Sequence, residues 1–163
     1  MIFGPTPLED ARGAVLAHTL RLPGKVLKKG TVLDEAAIAA LRDAGRRDVI
    51  AARLEAGDVP EDEAADRIAN LLMSPLVARS RASTGRVNLF AESAGLFTAD
   101  ARLIDRINQV DESITVATLP NRSVVAAKEM LATIKVIPFA VPGAVLGVIE
   151  ALCKGRPAIT VQP

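Results

Sequence analysis

Short apolar segments bounded by proline, glycine or acidic residues run along this chain and constrain its fold. The 163 residues include 10 prolines and 11 glycines, while half of all residues are hydrophobic. Even the longest uncharged apolar stretch, residues 136–149, is too short for a bilayer span and is interrupted by Pro138 and Pro142. Helical and strand-like patterns alternate irregularly, unlike those of a doubly wound sheet. We therefore predict an α+β fold with short mixed β-sheets and four to five helices.

Five segments carry signals for the start of a helix. Thr6-Pro7-Leu8-Glu9 has the form of a capping box and predicts a short helix that ends near Gly13. The other four predicted helices begin after Asp34, Asp58, Asp100 and Pro142.

Strand-like segments separate these helices. Alternation and β-branched residues predict strands at residues 14–22, 48–54, 76–80, 85–91, 113–118, 123–127, 131–137 and 158–162. Ser74-Pro75 ends the helix that follows Asp58 and is the most plausible lobe boundary. We predict an N-terminal α+β lobe at residues 1–76 and a β-rich lobe with a terminal helix at residues 77–163. A single interleaved domain is the alternative.

Composition excludes several classes of function. The net charge is +1 and the only aromatic residues are four phenylalanines, which argues against nucleic acid or an anionic membrane as partner. One cysteine, Cys153, and one histidine, His18, make a disulfide, a zinc site or a Cys-His pair improbable. The first ten residues lack the features of a signal peptide, so we expect a cytoplasmic protein. Two basic clusters are interpreted as solvated faces: Lys25, Lys28 and Lys29, and Arg42, Arg46 and Arg47.

No strong catalytic motif is present, and the first weaker candidate is Ser83-Thr84-Gly85-Arg86, preceded by Arg79 and Arg81. A turn of small residues with exposed backbone N–H groups and guanidinium neighbours is able to hold a phosphate or carboxylate. The alternative is an ordinary turn at the start of a strand, with solvated arginines.

Two further candidates lie in the turns around residue 115. Asn108, Asp111 and Glu112 have side chains suited to magnesium or to a general base, or they simply end a helix. The segment at residues 118–122 fits a turn between strands, with Arg122 at its tip available to a ligand or partner.

Lys135 is the single charge within the apolar segment MLATIKVIPFAVP. In an extended chain Ala132, Ile134 and Val136 share one apolar face, so Thr133 and Lys135 share the other. An unpaired ammonium is costly to bury, so Lys135 must reach solvent, pair with a carboxylate or face a cleft. We interpret it as a candidate anion contact beside the Thr133 hydroxyl, with a purely structural role as the alternative.

Several strings resemble a known family. LKKGTVLDEAAIAALRDAG, STGRVNLFAESAGLF, INQVDESITVATLP and MLATIKVIPFAVP occur in an order similar to that of the N-terminal region of bacterial molybdopterin-binding proteins, relatives of the molybdopterin molybdenumtransferase MoeA. The resemblance extends from about Phe3 to Ile159. It implies a non-catalytic platform of coiled β-sheets and helices, followed in the family by an α/β domain.

The resemblance also implies partners and limits. It suggests a binding and assembly domain for molybdenum cofactor biosynthesis that forms a homo-oligomer such as a dimer. Molybdopterin would be a ligand of the complete protein, with no cofactor held by this chain alone. The family's acidic Thr-Gly-Asp-Glu-like segment has no counterpart, because Thr84-Gly85 is followed by Arg86 and Val87. We expect a fragment or stand-alone copy whose α/β partner domain is missing.

A different hypothesis is a small enzyme for a phosphorylated or carboxylated molecule. Lys135 and Arg86 would clamp the anion, and Asp111 or Glu112 would act as the base. It requires these residues to line one concave pocket.

Overall fold

The computed structural model describes residues 1–163 and divides them into two compact units, Met1–Asp58 and Val59–Pro163. Four helices and several small sheets confirm the α+β class. None of the helices is long and apolar enough to cross a membrane.

The first unit combines small antiparallel sheets with one helix. Its elements are β1 (Ile2–Pro7), β2 (Val15–Leu16), β3 (Leu20–Leu22), β4 (Lys25–Leu27), α1 (Glu35–Asp43) and β5 (Asp48–Arg53). Strand β5 lies between β1 and β2, and β3 and β4 form a hairpin around a turn at Pro23-Gly24. The core of this unit consists of aliphatic side chains from its strands, its helix and the segments between them, including Leu16, Leu33 and Leu41.

Helix α1 follows directly from the local sequence. The Asp34 side chain accepts a hydrogen bond from the Ala37 N–H at 2.7 Å, as expected of an N-cap. The predicted helix after Asp34 is confirmed, and Ala37, Ile38 and Leu41 are buried on one of its faces. The helix ends in a Schellman motif, in which the Arg46 N–H donates to the Leu41 carbonyl and the Gly45 N–H to the Arg42 carbonyl. Gly45 has φ of +75°, which suits glycine at this position.

The predicted helix after Thr6 is wrong. Residues 2–7 form strand β1, in which Thr6 lies opposite Val49 of β5, and residues 8–10 form turns. The Thr6 hydroxyl donates to the Gly4 carbonyl instead of capping a helix. Pairing continues past the strand through the Leu8 N–H and the Arg47 carbonyl. Non-local strand pairing therefore overrides the capping-box signal, which describes only local preference.

The second unit contains the remaining helices and the larger sheets. Its elements are β6 (Asp58–Pro60), α2 (Glu61–Leu72), β7 (Val77–Arg79), β8 (Arg86–Ala91), β9 (Gly95–Ala99), α3 (Ala101–Asn108), β10 (Ile114–Thr118), β11 (Val124–Val125), β12 (Met130–Val136), β13 (Ala140–Pro142), α4 (Gly143–Cys153) and β14 (Ile159–Gln162). The predicted helices after Asp100 and Pro142 are confirmed, and the Asp100 side chain caps α3.

A four-stranded sheet in the order β10-β12-β8-β7 forms the centre of this unit. Ala64, Ile68 and Leu72 of helix α2 are buried in the same core as the inner-face residues of β8 and β12. Helix α2 therefore belongs to the second unit, and the boundary falls before this helix instead of after Pro75.

The sheets also differ from the predicted mixed type. Strand pairs in the sheets β1-β5-β2, β10-β12-β8-β7, β11-β9-β14 and β3-β4 are antiparallel throughout. Among these pairs only β3-β4 and β7-β8 join strands that are successive in the chain, so most of the pairing is non-local.

Candidate functional site

Two cations lie directly opposite each other on the outer face of the four-stranded sheet. Lys135 of β12 is the register partner of Arg86 of β8, and Thr115 of β10 is its partner on the other side. All three side chains are exposed. Neither cation has a hydrogen bond or an ion pair with the protein. Like charges directly opposite one another in a sheet are destabilising, and an anion placed between them would relieve this repulsion.

The alternation predicted for β12 is confirmed. Ala132, Ile134 and Val136 are buried, whereas Lys135 is exposed on the opposite face. The lysine extends into solvent from a strand held on both sides by neighbouring strands. Its backbone is therefore fixed, and only the flexible side chain has to order when a ligand binds.

The next row of the sheet presents neutral polar groups. The Thr133 hydroxyl donates to Asn88 Oδ1 at 2.6 Å, and the backbone N–H of Asn88 donates to the Ser80 hydroxyl. Thr133 and its register partner Ala117 also line a shallow pocket of about 190 Å³ between β10 and β12. Lys135 and Arg86 are not among the residues that line this pocket.

The Ser83–Arg86 segment is a tight turn at the end of the same sheet. Thr84 and Gly85 have φ of +50° and +71°, as in type I′ turns, and Ser83 and Arg86 exchange both backbone hydrogen bonds. The Gly85 N–H donates to the Asp62 carboxylate at 2.7 Å. A carboxylate of the protein therefore accepts from this donor, so the Gly85 N–H is not available to a bound anion, contrary to the prediction for this turn.

The other predicted basic residues lie apart from this pair. Arg79 forms an ion pair with Asp66 and donates to Asn70 Oδ1 at 3.0 Å, both on helix α2. Arg122 is exposed in a turn after β10, where φ is +68° and its N–H donates to the Phe97 carbonyl. The turn follows Thr118, the last residue of β10, which pairs with Ala132 of β12. The pair formed by Thr115 and Lys135 lies at the other end of β10. The structure thus brings together Arg86, Lys135 and Thr133 but not Arg122.

Asn108 has a structural role in the edge strand. Its side-chain amide donates to the Val116 carbonyl at 2.9 Å, and its Oδ1 accepts from the Val116 N–H at 2.7 Å. Strand β10 is at the edge of its sheet. Asn108 thus takes the place of a neighbouring strand at Val116 and occupies polar groups that an edge otherwise exposes.

The Asp111 carboxylate is engaged within its own turn. Interactions with Ser113, first through the hydroxyl and then through the backbone N–H, hold the pKa of Asp111 below its usual value. The backbone N–H of Ser113 donates to Asp111 Oδ1 at 2.9 Å. A carboxylate with a lowered pKa is a weak base, which removes support from the enzyme hypothesis.

No group of three or more acidic, histidine or cysteine side chains that could hold a metal ion is present. Cys153 is buried in the core of the second unit, and desolvation raises the pKa of its thiol. It is therefore an unreactive core residue.

Sequence reasoning missed the partners of the predicted site. Asp62 lies in the predicted helix after Asp58, and its carboxylate accepts the hydrogen bond from the Gly85 N–H. The signal that was available is its place in the first turn of α2, where acidic residues are favoured. Nothing local indicates that this turn lies beside residues 83–86.

Comparison with known proteins links only part of the chain to a family. Residues 5–53 match a family model described as a domain of unknown function, DUF8806. This match covers most of the first unit and under a third of the chain. The comparison with curated proteins found no match, and neither did the comparison with solved structures.

Proposed function

We propose that this chain is a non-catalytic binding and assembly domain whose second unit holds an anionic group on the outer face of its four-stranded sheet. The observation that carries the proposal is the unpaired, directly opposed Lys135 and Arg86. A phosphate or carboxylate placed between them would relieve their repulsion and form charge-assisted hydrogen bonds with both.

The ligand class that we propose is a pterin phosphate of the molybdopterin type, in the context of molybdenum cofactor biosynthesis. Support comes from the family resemblance described above and from the neutral groups beside the cations. Thr133 lies two residues from Lys135 on the same strand face, roughly 7 Å away by strand geometry. The shallow pocket lined by Thr133 gives the organic part of a phosphorylated ligand a surface to contact.

A titration with matched variants tests the anion site. The double variant Lys135→Met/Arg86→Met removes both cations, and Lys128→Met/Arg102→Met removes two exposed cations elsewhere in the same unit with the same change in net charge. We expect calorimetry with a pterin phosphate to show at least about tenfold weaker binding for the first variant and unchanged binding for the second. Equal affinities for the two variants, or no binding to the unmodified chain, would reject the anion site.

The same titration with inorganic phosphate tests the ligand class separately. If phosphate binds as tightly as the pterin phosphate, the anion site stands and the pterin part of the proposal fails.

The assembly part of the proposal has separate support. Val124, Met130, Ile137 and Val148 are large apolar side chains of the second unit that are at least 49% exposed. A contact between copies would remove this apolar surface from water. Sedimentation velocity over a range of concentrations should show a dimer, and a chain that stays monomeric at high concentration would contradict assembly.

A further inference from the structure

A second cationic site lies in the first unit, where three arginines surround one pocket. Arg42, Arg46 and Arg47 all line an open surface pocket of about 530 Å³. All three side chains are exposed, and none has a hydrogen bond or an ion pair through its guanidinium.

The backbone that carries these arginines is held in place by the end of α1. The Schellman motif fixes the carbonyl of Arg42 and the N–H of Arg46 within the same capping structure. The Arg47 carbonyl accepts the Leu8 N–H at 3.1 Å, which joins the arginine loop to the end of β1. The backbone of all three arginines is thereby held beside the same pocket by regular structure.

Two carboxylates also line this pocket, but neither forms an ion pair with one of the three arginines. Glu9 and Asp48 also line it, yet neither lies within ion-pairing distance of a guanidinium. The lining therefore carries a net charge of +1 from three arginines and two carboxylates. An anion bound to the arginines leaves the two carboxylates as acceptors for hydroxyl or amino groups on the rest of the ligand.

We propose that this arginine pocket binds the phosphate group of a small phosphorylated molecule that also carries hydrogen-bond donors. Guanidinium groups match phosphate oxygens with two parallel hydrogen bonds, which a lysine cluster does not provide. Pro7 and the buried Leu8 give the pocket an apolar wall against the ligand body. All of the residues named for this pocket lie within the segment that matches the domain of unknown function. This site is independent of the proposal for the second unit.

Amide chemical shifts of the full chain provide the test at low ionic strength. Inorganic phosphate should shift the amides of residues 42–48 in a saturable way, because the contacts are with the arginines themselves. Ribose 5-phosphate should bind more tightly than phosphate, and ribose alone should produce no shift. A weaker response to ribose 5-phosphate than to phosphate would overturn the claim that the carboxylates contact the ligand body.

Matched variants separate the pocket from general surface charge. Arg46→Met and Arg47→Met should each weaken phosphate binding by about tenfold or more, as expected for loss of a charge-assisted hydrogen bond. Arg21→Met removes an exposed arginine of the same unit that lies outside the pocket and should leave binding unchanged. Arg46→Lys keeps the charge and should still weaken binding, because the paired hydrogen bonds are lost.

Either of two results would overturn the inference. One is the absence of saturable shifts at residues 42–48 in the unmodified chain. The other is an equal loss of binding in Arg21→Met and the pocket variants when their thermal unfolding matches that of the unmodified chain. Shifts confined to residues around Arg86 and Lys135 would be an instance of the first result, and they would support the site in the second unit.

Discussion

Replacing Gly85 with alanine tests how the Ser83–Arg86 turn is built into the second unit. Gly85 is buried, and an added Cβ would clash with the carbonyl oxygen of Val136 and lie 2.9 Å from Glu61 Oε2. The backbone has φ of +71°, which an alanine adopts only with strain. The substitution therefore combines a conformational penalty with a steric one.

Gly155→Ala is a matched control for the conformational part. Gly155 belongs to the same unit and has φ of +68°, but an added Cβ would meet no atom within 4 Å. A left-handed alanine costs about 1–2 kcal/mol, and the reduced freedom of the unfolded chain offsets about 0.4–1 kcal/mol of this. We expect Gly155→Ala to lower the free energy of unfolding by about 1 kcal/mol.

Gly85→Ala should cost more, because the clash is with backbone that cannot move freely. Displacing the turn strains two hydrogen bonds of 2.7 Å, from the Val136 N–H to the Gly85 carbonyl and from the Gly85 N–H to Asp62. A neutral bond is worth about 0.5–1.5 kcal/mol and one to a charged group about 1.5–3 kcal/mol. Together with the conformational strain, the expected loss is about 3–5 kcal/mol.

Urea unfolding followed by circular dichroism measures both losses, and amide hydrogen exchange at Val136 reports the local contact. The Val136 amide should exchange faster in Gly85→Ala and be unchanged in Gly155→Ala. If the two variants lose the same stability, the close packing of Gly85 against β12 does not hold and the steric reasoning is refuted.

Three further predictions follow from the described contacts. Asn108→Ala should lower the free energy of unfolding by about 1–3 kcal/mol and speed hydrogen exchange at Val116, because two backbone bonds of the edge strand are lost; an unchanged exchange rate would contradict this role. Asp111→Asn should destabilise the chain at pH 7 but less at pH 3. The pKa of Asp111 is lowered in the folded state, so its carboxylate stabilises the fold above the ordinary pKa of about 3.9. This stabilisation is lost as the pH falls through the pKa of the folded state. Urea midpoints of Asp111→Asn and the unmodified chain at the two pH values measure this difference, which the argument requires to shrink in acid. Cys153 should react with a thiol reagent only on the timescale of unfolding, because it is 1% exposed and burial raises the pKa of its thiol; fast labelling of the folded chain would count against a buried thiol.

Local signals in the sequence predicted those elements whose causes are local. The Asp34 and Asp100 side chains each accept a hydrogen bond from the backbone N–H three residues later, so the capping residue and its donor are neighbours in the chain. The alternation in β12 likewise predicted which face of the strand is buried and placed Lys135 on the other. In these cases the physical reason is contained within a few residues, so a short window of sequence is sufficient.

Contacts between distant residues decided the rest. Thr6 has the local signature of a helix cap, but pairing with Val49 makes it part of a strand. The Asp62 carboxylate accepts a hydrogen bond from the N–H of Gly85, which lies 23 residues later in the chain. The arginine pocket forms because residues at the end of β1 lie beside residues at the end of α1. The sequence by itself determined the residue types, the capped helices and the buried faces. Only the tertiary structure decided which charges meet, because the free energy of a contact depends on separations in space that local preferences do not encode.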